Sequence, residues 1–315
     1  MSSPILSIIL PCHNEAENLD VLFTRLKAVL EKLGAPYEII AVDDGSTDDT
    51  YPRLLQHHTR DKNLKIIRLA RNFGKENASS CGLEHATGQA VVLMDSDLQH
   101  PPETIPALFA KWQEGAQMVY AIRQNRDTDS RARRWFSHSY YWIFSKVGDV
   151  KIPEGAGDFR LLDRRVVDAV NALPERNRFM KGLMSWVGFT TAEVEFEVAP
   201  RHKGTSSWSP FGLVHFAIDG LLSFSSVPLR LWTWLGLFIS IGALLYLIYL
   251  VLKTLILGAD TPGFATIMAT VLMLGGIEIM GLGVMAEYIA RIFTEVKRRP
   301  LYFIAAQHGI EKKDD

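Results

Sequence analysis

The sequence predicts an α/β fold with a mostly parallel sheet, followed by a C-terminal pair of membrane-spanning helices. Three observations lead there. Strand-like and helix-like periods alternate over the first ~125 residues, the first four strands all end in polar residues, and Leu231 to Leu252 holds no charged residue.

In chain order, "LSIIL" and "YEIIAVDD" read as buried strands, joined by an amphipathic helix over Glu15 to Leu33 that stops at Gly34 and Pro36. "LKIIRLA" and "QAVVLMD" are the next strands, separated by a helix from Lys75 to Ala86 with Gly88 as its cap. Pro101 and Pro102 open the following helix, where a first turn tolerates proline. This order implies parallel strands under helices on both faces, with ligands bound at the strands' carboxyl ends. Those ends read "PCHNE", "DDGSTDD", "ARNFGK" and "DSDLQ".

With 315 residues, 48% of them hydrophobic, the chain is too apolar to be disordered. A net charge of -1 gives no global attraction to nucleic acid. Cys12 and Cys81 have no paired or metal-type spacing, as expected in a reducing compartment. The N-terminal apolar run is short and lacks the basic flank of a secretory signal, so a cytosolic N-terminus is expected.

Leu231 to Leu252 is long enough to cross a bilayer, and a second apolar stretch, Phe264 to Ala286, is interrupted only by Glu278. Arg291, Lys297, Arg298, Arg299, Lys312 and Lys313 follow it, so both termini are expected inside by the positive-inside rule. Gly275, Gly276, Gly281 and Gly283 permit close helix contact, and Glu278 is expected to hydrogen-bond in a helix–helix or subunit contact, which would allow a homo-oligomer. Asp127 to Gly148 and Pro210 to Pro228 mix apolar, aromatic and, in the first, basic residues at helical spacing, as interfacial or ordinary packing helices do.

Asp95 and Asp97 end one strand and Asp43 and Asp44 another. A turn can bring such carboxylates to one hard divalent ion that keeps positions open for phosphate oxygens, and a carboxylate can also accept from a nucleobase N–H or a ribose hydroxyl. Together they point to a nucleotide with its base and sugar at "DDGS" and its phosphates near "DSD". Neither a Gly-x-Gly-x-x-Gly turn nor a Walker lysine motif is present.

The ordered set "LPCHNEAENL", "VDDGSTDDT", "ARNFGKENA", "MDSDLQHPPE", "GAGDFRLLDRRV" and "RHKGTSSWS" resembles the inverting family 2 glycosyltransferases of GT-A fold. Within them it resembles the polyprenyl-phosphate glycosyltransferases, a group that includes bactoprenol glucosyltransferases and dolichol-phosphate mannose synthase. The resemblance implies that Pro11, Asn14, Glu15, Asp43 and Asp44 hold the nucleoside, with Arg71 and Lys75 beside the donor. It implies that Asp95, Asp97 and Gln99 bind Mg2+ or Mn2+ and the donor diphosphate, and that Arg123, one of Arg131, Arg133 and Arg134, Ser137 and Arg201 bind the acceptor phosphate. Asp158 is expected beside the transferred sugar, as a base or as a ligand for a hydroxyl.

The implied reaction moves one sugar, glucose from UDP-glucose as first choice, to polyprenyl (undecaprenyl) phosphate at the cytosolic face of the plasma membrane. GDP-mannose and a UDP-aminopentose are the alternative donors, and a nucleotide-sugar-binding scaffold is the alternative class. A processive synthase would carry a Gln-x-x-Arg-Trp motif, which is not found. The expected organisation is a cytosolic catalytic domain at 1–210, an interfacial helix at 211–228, two membrane helices within 229–287 and a basic tail at 288–315.

Overall fold

The computed structural model describes residues 4–123, 156–197, 227–257 and 263–310. The chain divides into two units, one of Met1–Ala217 with Arg299–Asp315 and one of Ile218–Arg298.

The first unit is a sheet with helices packed on it. Its elements are β1 (Leu6–Cys12), α1 (Leu19–Leu33), β2 (Tyr37–Asp43), α2 (Thr50–Arg60), β3 (Leu64–Leu69), α3 (Lys75–His85) and β4 (Ala90–Leu93). There follow α4 (Ile105–Gln113), β5 (Met118–Arg123), β6 (Ala156–Asp163), α5 (Arg164–Ala172), α6 (Met180–Trp186), β7 (Thr191–Phe196) and, after the second unit, β8 (Ile304–His308). The strand order is β7-β5-β6-β4-β1-β2-β3-β8. β1 pairs in parallel with both β2 and β4, so the chain reverses its direction of travel across the sheet at β1 and opens a crevice there. Ile8, Leu10, Ala41, Ile66 and Val92 from the central strands pack with Leu22, Leu26 and Leu30 of α1 in one buried cluster.

β6 decides what shares the crevice. It runs antiparallel to both β4 and β5, so its first residues lie at the same sheet edge as the carboxyl ends of β4 and β5. Leu93 pairs with Arg160, and continuing that register two residues outward sets Asp95 opposite Asp158. Arg123 ends β5 at this edge and is exposed.

Two helix ends differ from expectation. α1 starts at Leu19 because earlier N–H groups are engaged by the loop after β2: Glu15 N donates to Thr50 Oγ1 at 2.8 Å and Ala16 N to Asp48 Oδ2 at 3.3 Å. Its other end is capped as expected, by Gly34 at φ 70. α3 stops at His85, with extended Ala86 as its cap, and Gly88 serves instead for close approach to β1. Gly88 N donates to Ser7 Oγ at 2.8 Å, and a Cβ on Gly88 would come within 2.7 Å of Ser7 N. A short 3-10 turn at Pro102–Thr104 precedes α4.

The residues after the apolar stretches do not form only a tail. Helix continues to Lys297, and Ile304–His308 then joins the open edge of β3 as an antiparallel strand. Its short length and basic flank hid it in the sequence.

The second unit contains α7 (Val227–Leu257) and α8 (Phe264–Lys297). Among the described residues, Met273–Lys297 is long and apolar enough to cross a membrane, and Trp234–Tyr246 is a shorter apolar stretch. Of the four glycines singled out in α8, only Gly281 is buried against a neighbour, the Trp232 indole; around the Cβ positions of Gly275, Gly276 and Gly283 there is open space. Glu278 is exposed.

Candidate active site

A cavity of about 910 Å³ opens at the ends of β1, β2 and β4, within the ~300–1,000 Å³ usual for ligand pockets. Pro11, Asn14, Glu15, Asp44, Lys75, Asp95 and Asp97 line it. Asp43, Arg71, Gln99, Asp158 and Arg123 lie outside that lining. Arg131, Arg133, Arg134, Ser137 and Arg201 lie outside the described residues, as do 124–155 and 198–226, which hold the first interfacial segment and all of the second but Val227 and Pro228, the start of α7.

The nucleoside side is built by three loops that hold one another. Asn14, at φ 57, donates its N–H to Ser46 Oγ at 3.0 Å and accepts Thr47 N at 2.9 Å on its side-chain oxygen. The Asp44 carboxylate accepts Phe73 N at 2.7 Å and Gly74 N at 2.9 Å, which closes the loop before α3. Burial pushes the Asp44 carboxyl up, against those two bonds. Gly45 makes the approach possible: it sits at φ 62, and a Cβ there would come within 2.8 Å of Arg71 Cα. Asp43 is fully buried beneath, accepting Ser46 N at 3.1 Å with Arg68 Nε 3.3 Å away. It therefore shapes the loop from below, while Asp44 reaches the cavity wall.

On the phosphate side, Lys75 Nζ stands 2.6 Å from Asp95 Oδ1 and 2.5 Å from Asp158 Oδ2. Lys181 of α6 approaches the other oxygen of Asp158 at 3.5 Å. Burial acts to raise the Asp158 carboxyl, but Lys181, Lys75 and Arg160 outweigh it and hold the group well below the usual carboxylate range. Asp97 Oδ1 accepts Gln99 N at 3.0 Å, in a turn that puts Leu98 at φ 63, an uncommon conformation for a residue with a side chain. Both Asp95 and Asp97 thereby reach one cavity.

Four residues here escaped the sequence reading. His13 binds Asp44 O through Nδ1 at 2.9 Å and lies 3.0 Å from the Asn72 amide through Nε2. His100, buried and stacked on Phe159 with centroids 5.1 Å apart, accepts Asp95 N at 3.1 Å. Glu76 is pushed up to about 7 by burial and by Asp158, against Lys75, Lys181 and Arg160. His13 and His100 lie inside quoted motifs, so their position was a signal; Lys181 lies in none, and only the fold brings it to Asp158.

The Glycosyl transferase family 2 model matches residues 7–170, and the GtrB C-terminal hairpin model matches residues 227–292. An uncharacterized glycosyltransferase of Synechocystis sp. is 46% identical over 97% of this chain and 96% of its own length. A prophage-derived bactoprenol glucosyl transferase of Shigella flexneri is 41% identical over 96% of this chain and 98% of its own. Among solved structures, mannosyl-3-phosphoglycerate synthase from Rubrobacter xylanophilus superimposes with a TM-score of 0.49 at 17% identity, covering 72% of this chain and 74% of that one. The chain is a glycosyltransferase and belongs to glycosyl transferase family 2.

Proposed function

We propose that the chain transfers a single glucose from UDP-glucose to polyprenyl (undecaprenyl) phosphate at the cytosolic face of the plasma membrane, with inversion and with bound Mg2+ or Mn2+. The observation that carries this reading is the meeting of Asp95 and Asp158 across one sheet edge, tied by Lys75, beside a cavity that Asp44 and Asn14 border. The Shigella flexneri relative, named a bactoprenol glucosyl transferase, supports the lipid acceptor and the sugar.

Asp95 and Asp97 would hold the metal, with Gln99 in the same turn. Two carboxylates leave most positions of a small oxygen-seeking cation open to phosphate oxygens, and Lys75 already places positive charge at Asp95. When bound, the metal supplies neutralisation of charge on the departing diphosphate. The loops around Asp44 and Asn14 orient the nucleoside, and Lys75 offers a second cation to the phosphates. Arg123, with one of Arg131, Arg133 and Arg134, Ser137 and Arg201, would grip the acceptor phosphate through forked N–H groups and the hydroxyl. One acceptor oxygen attacks the anomeric carbon as the bond to the nucleoside diphosphate breaks on the opposite side, which inverts the carbon. A phosphate with a second pKa near ~6 needs no proton removed before attack, so Asp158 acts as a fixed anion that orients Lys75 and Lys181 and accepts a sugar hydroxyl.

The hairpin would hold this site at the lipid surface. Its helices expose apolar side chains such as Phe238 at 71% and Ile279 at 70%, which lipid would cover. Two crossings would leave both ends of the hairpin on one side of the membrane, and β8, which follows α8, is part of the catalytic sheet.

The test is to incubate membranes carrying the chain with labelled UDP-glucose, GDP-mannose and a UDP-aminopentose, then extract the lipid. Label from UDP-glucose is expected in polyprenyl phosphate, falling by at least ~100-fold in Asp97→Asn. Label from another donor alone would reassign the sugar, and no label from any would sink the lipid-linked transfer.

A further inference from the structure

We infer that Phe303 and Tyr302, which lead from α8 into β8, are positioning residues for donor binding: Phe303 holds the loop that grips Asp44 and carries Arg71, and Tyr302 holds the far end of α3, the helix that Lys75 begins. The inference rests on the nucleotide-site reading above.

The contacts fall on the loop before α3 and on the far end of α3. Ala70 N donates to Phe303 O at 2.8 Å, which fixes where the loop starts. The Phe303 ring meets the Phe73 ring with centroids 6.4 Å apart at 52°. The same Phe73 ring carries the Arg71 guanidinium 4.4 Å from its centroid, and Phe73 N is a donor to Asp44. At the far end of α3, the Tyr302 hydroxyl donates to Glu84 at 2.5 Å and the Gln307 amide lies 3.3 Å from His85 Nε2.

Asp44 and His13 hold the loop on the cavity side, and Phe303 meets it at Ala70 and Phe73. Arg71 and Asn72 are exposed, and Gly74 sits at φ 94. Phe303 is itself 57% exposed, so its truncation leaves no hole in the core, and its loss should register in the loop rather than in the fold. Only residues 298–302 separate the end of α8 from Phe303. The segment that returns from the hairpin is thus the same one that steadies the donor loop.

The experiment uses the full chain in lipid nanodiscs, with UDP and GDP as calorimetric probes and labelled donor for kinetics. Phe303→Ala should raise the Kd of whichever nucleotide binds and the donor KM by roughly threefold to tenfold, as loss of one aromatic contact implies, while kcat changes less than about twofold. Phe303→Tyr should restore both, and Tyr302→Phe should show a smaller rise of the same kind. Unchanged Kd and KM in Phe303→Ala, or a fall in kcat alone, would overturn the inference, as would equal effects in Phe303→Ala and Phe303→Tyr. Asp44→Ala separates the two levels: nucleotide affinity equal to wild type there, or no binding of UDP or GDP to the wild-type chain, removes the nucleotide site itself and the inference with it.

Discussion

At the scale of single residues, Lys75 and Lys181 set what Asp158 can do. A carboxylate with a lysine at 2.5 Å from one oxygen and another at 3.5 Å from the other is a weak base. Its pKa lies below its ordinary 3.8, so the anion is complete above about pH 4 and its protonation cannot shape a rate profile between about pH 5 and 8. We expect Asp158→Asn to lower kcat by at least ~100-fold at every pH in that range, because the loss is of a fixed charge. Transfer rates measured across pH check this, and a rate that stays near wild type would remove Asp158 from the machinery. Glu76, raised to about 7, is a group beside the site whose titration falls in that window, as is the acceptor phosphate near ~6; a wild-type inflection near 7 that vanishes in Glu76→Gln would be its signature.

At the scale of elements, one buried carboxylate ties four parts of the sheet. Glu38 on β2 accepts Ser7 Oγ of β1 at 2.5 Å, Thr87 N ahead of β4 at 2.7 Å and Lys65 Nζ of β3 at 2.6 Å. Burial acts to raise its carboxyl, but Lys65, Ser7 and Thr87 hold it below its ordinary 4.5. A lowered folded pKa means that this stabilisation is complete above the unfolded value near 4.5 and is lost as pH falls below it. Glu38→Ala is expected to cost roughly 3 kcal/mol at neutral pH, since it leaves Lys65 and the β1 hydroxyl without their acceptor. The variant should also unfold over a shallower acid limb than the wild type, and circular dichroism against pH and temperature measures both.

At the scale of the whole molecule, β8 links the path of the chain to the proposed membrane topology. If α7 and α8 both cross the bilayer, as proposed, only the connection between them would face the far side. Single cysteines can report this, because native Cys12 and Cys81 are buried. In inside-out vesicles, Lys312→Cys should react with an impermeant maleimide and Asp260→Cys should not; sealed right-side-out vesicles should reverse the result. Equal labelling of both sites in either preparation would sink the two-crossing arrangement.

The sequence by itself determined what periodicity and composition encode. The four parallel strands with polar ends, the cap at Gly34 and the apolar helices are local patterns, since burial on two faces and capping are decided within a few residues. So were the motif residues Asn14, Asp44, Lys75, Asp95 and Asp97, which a switch point in a parallel sheet gathers at one edge. Only the tertiary structure decided the pairings between distant segments. Antiparallel β6 brings Asp158 opposite Asp95, α6 delivers Lys181, and Ile304–His308 closes the β3 edge after some 230 intervening residues. No local signal marks these contacts, because they depend on which strand edge and which helix face remain open once the central sheet has formed.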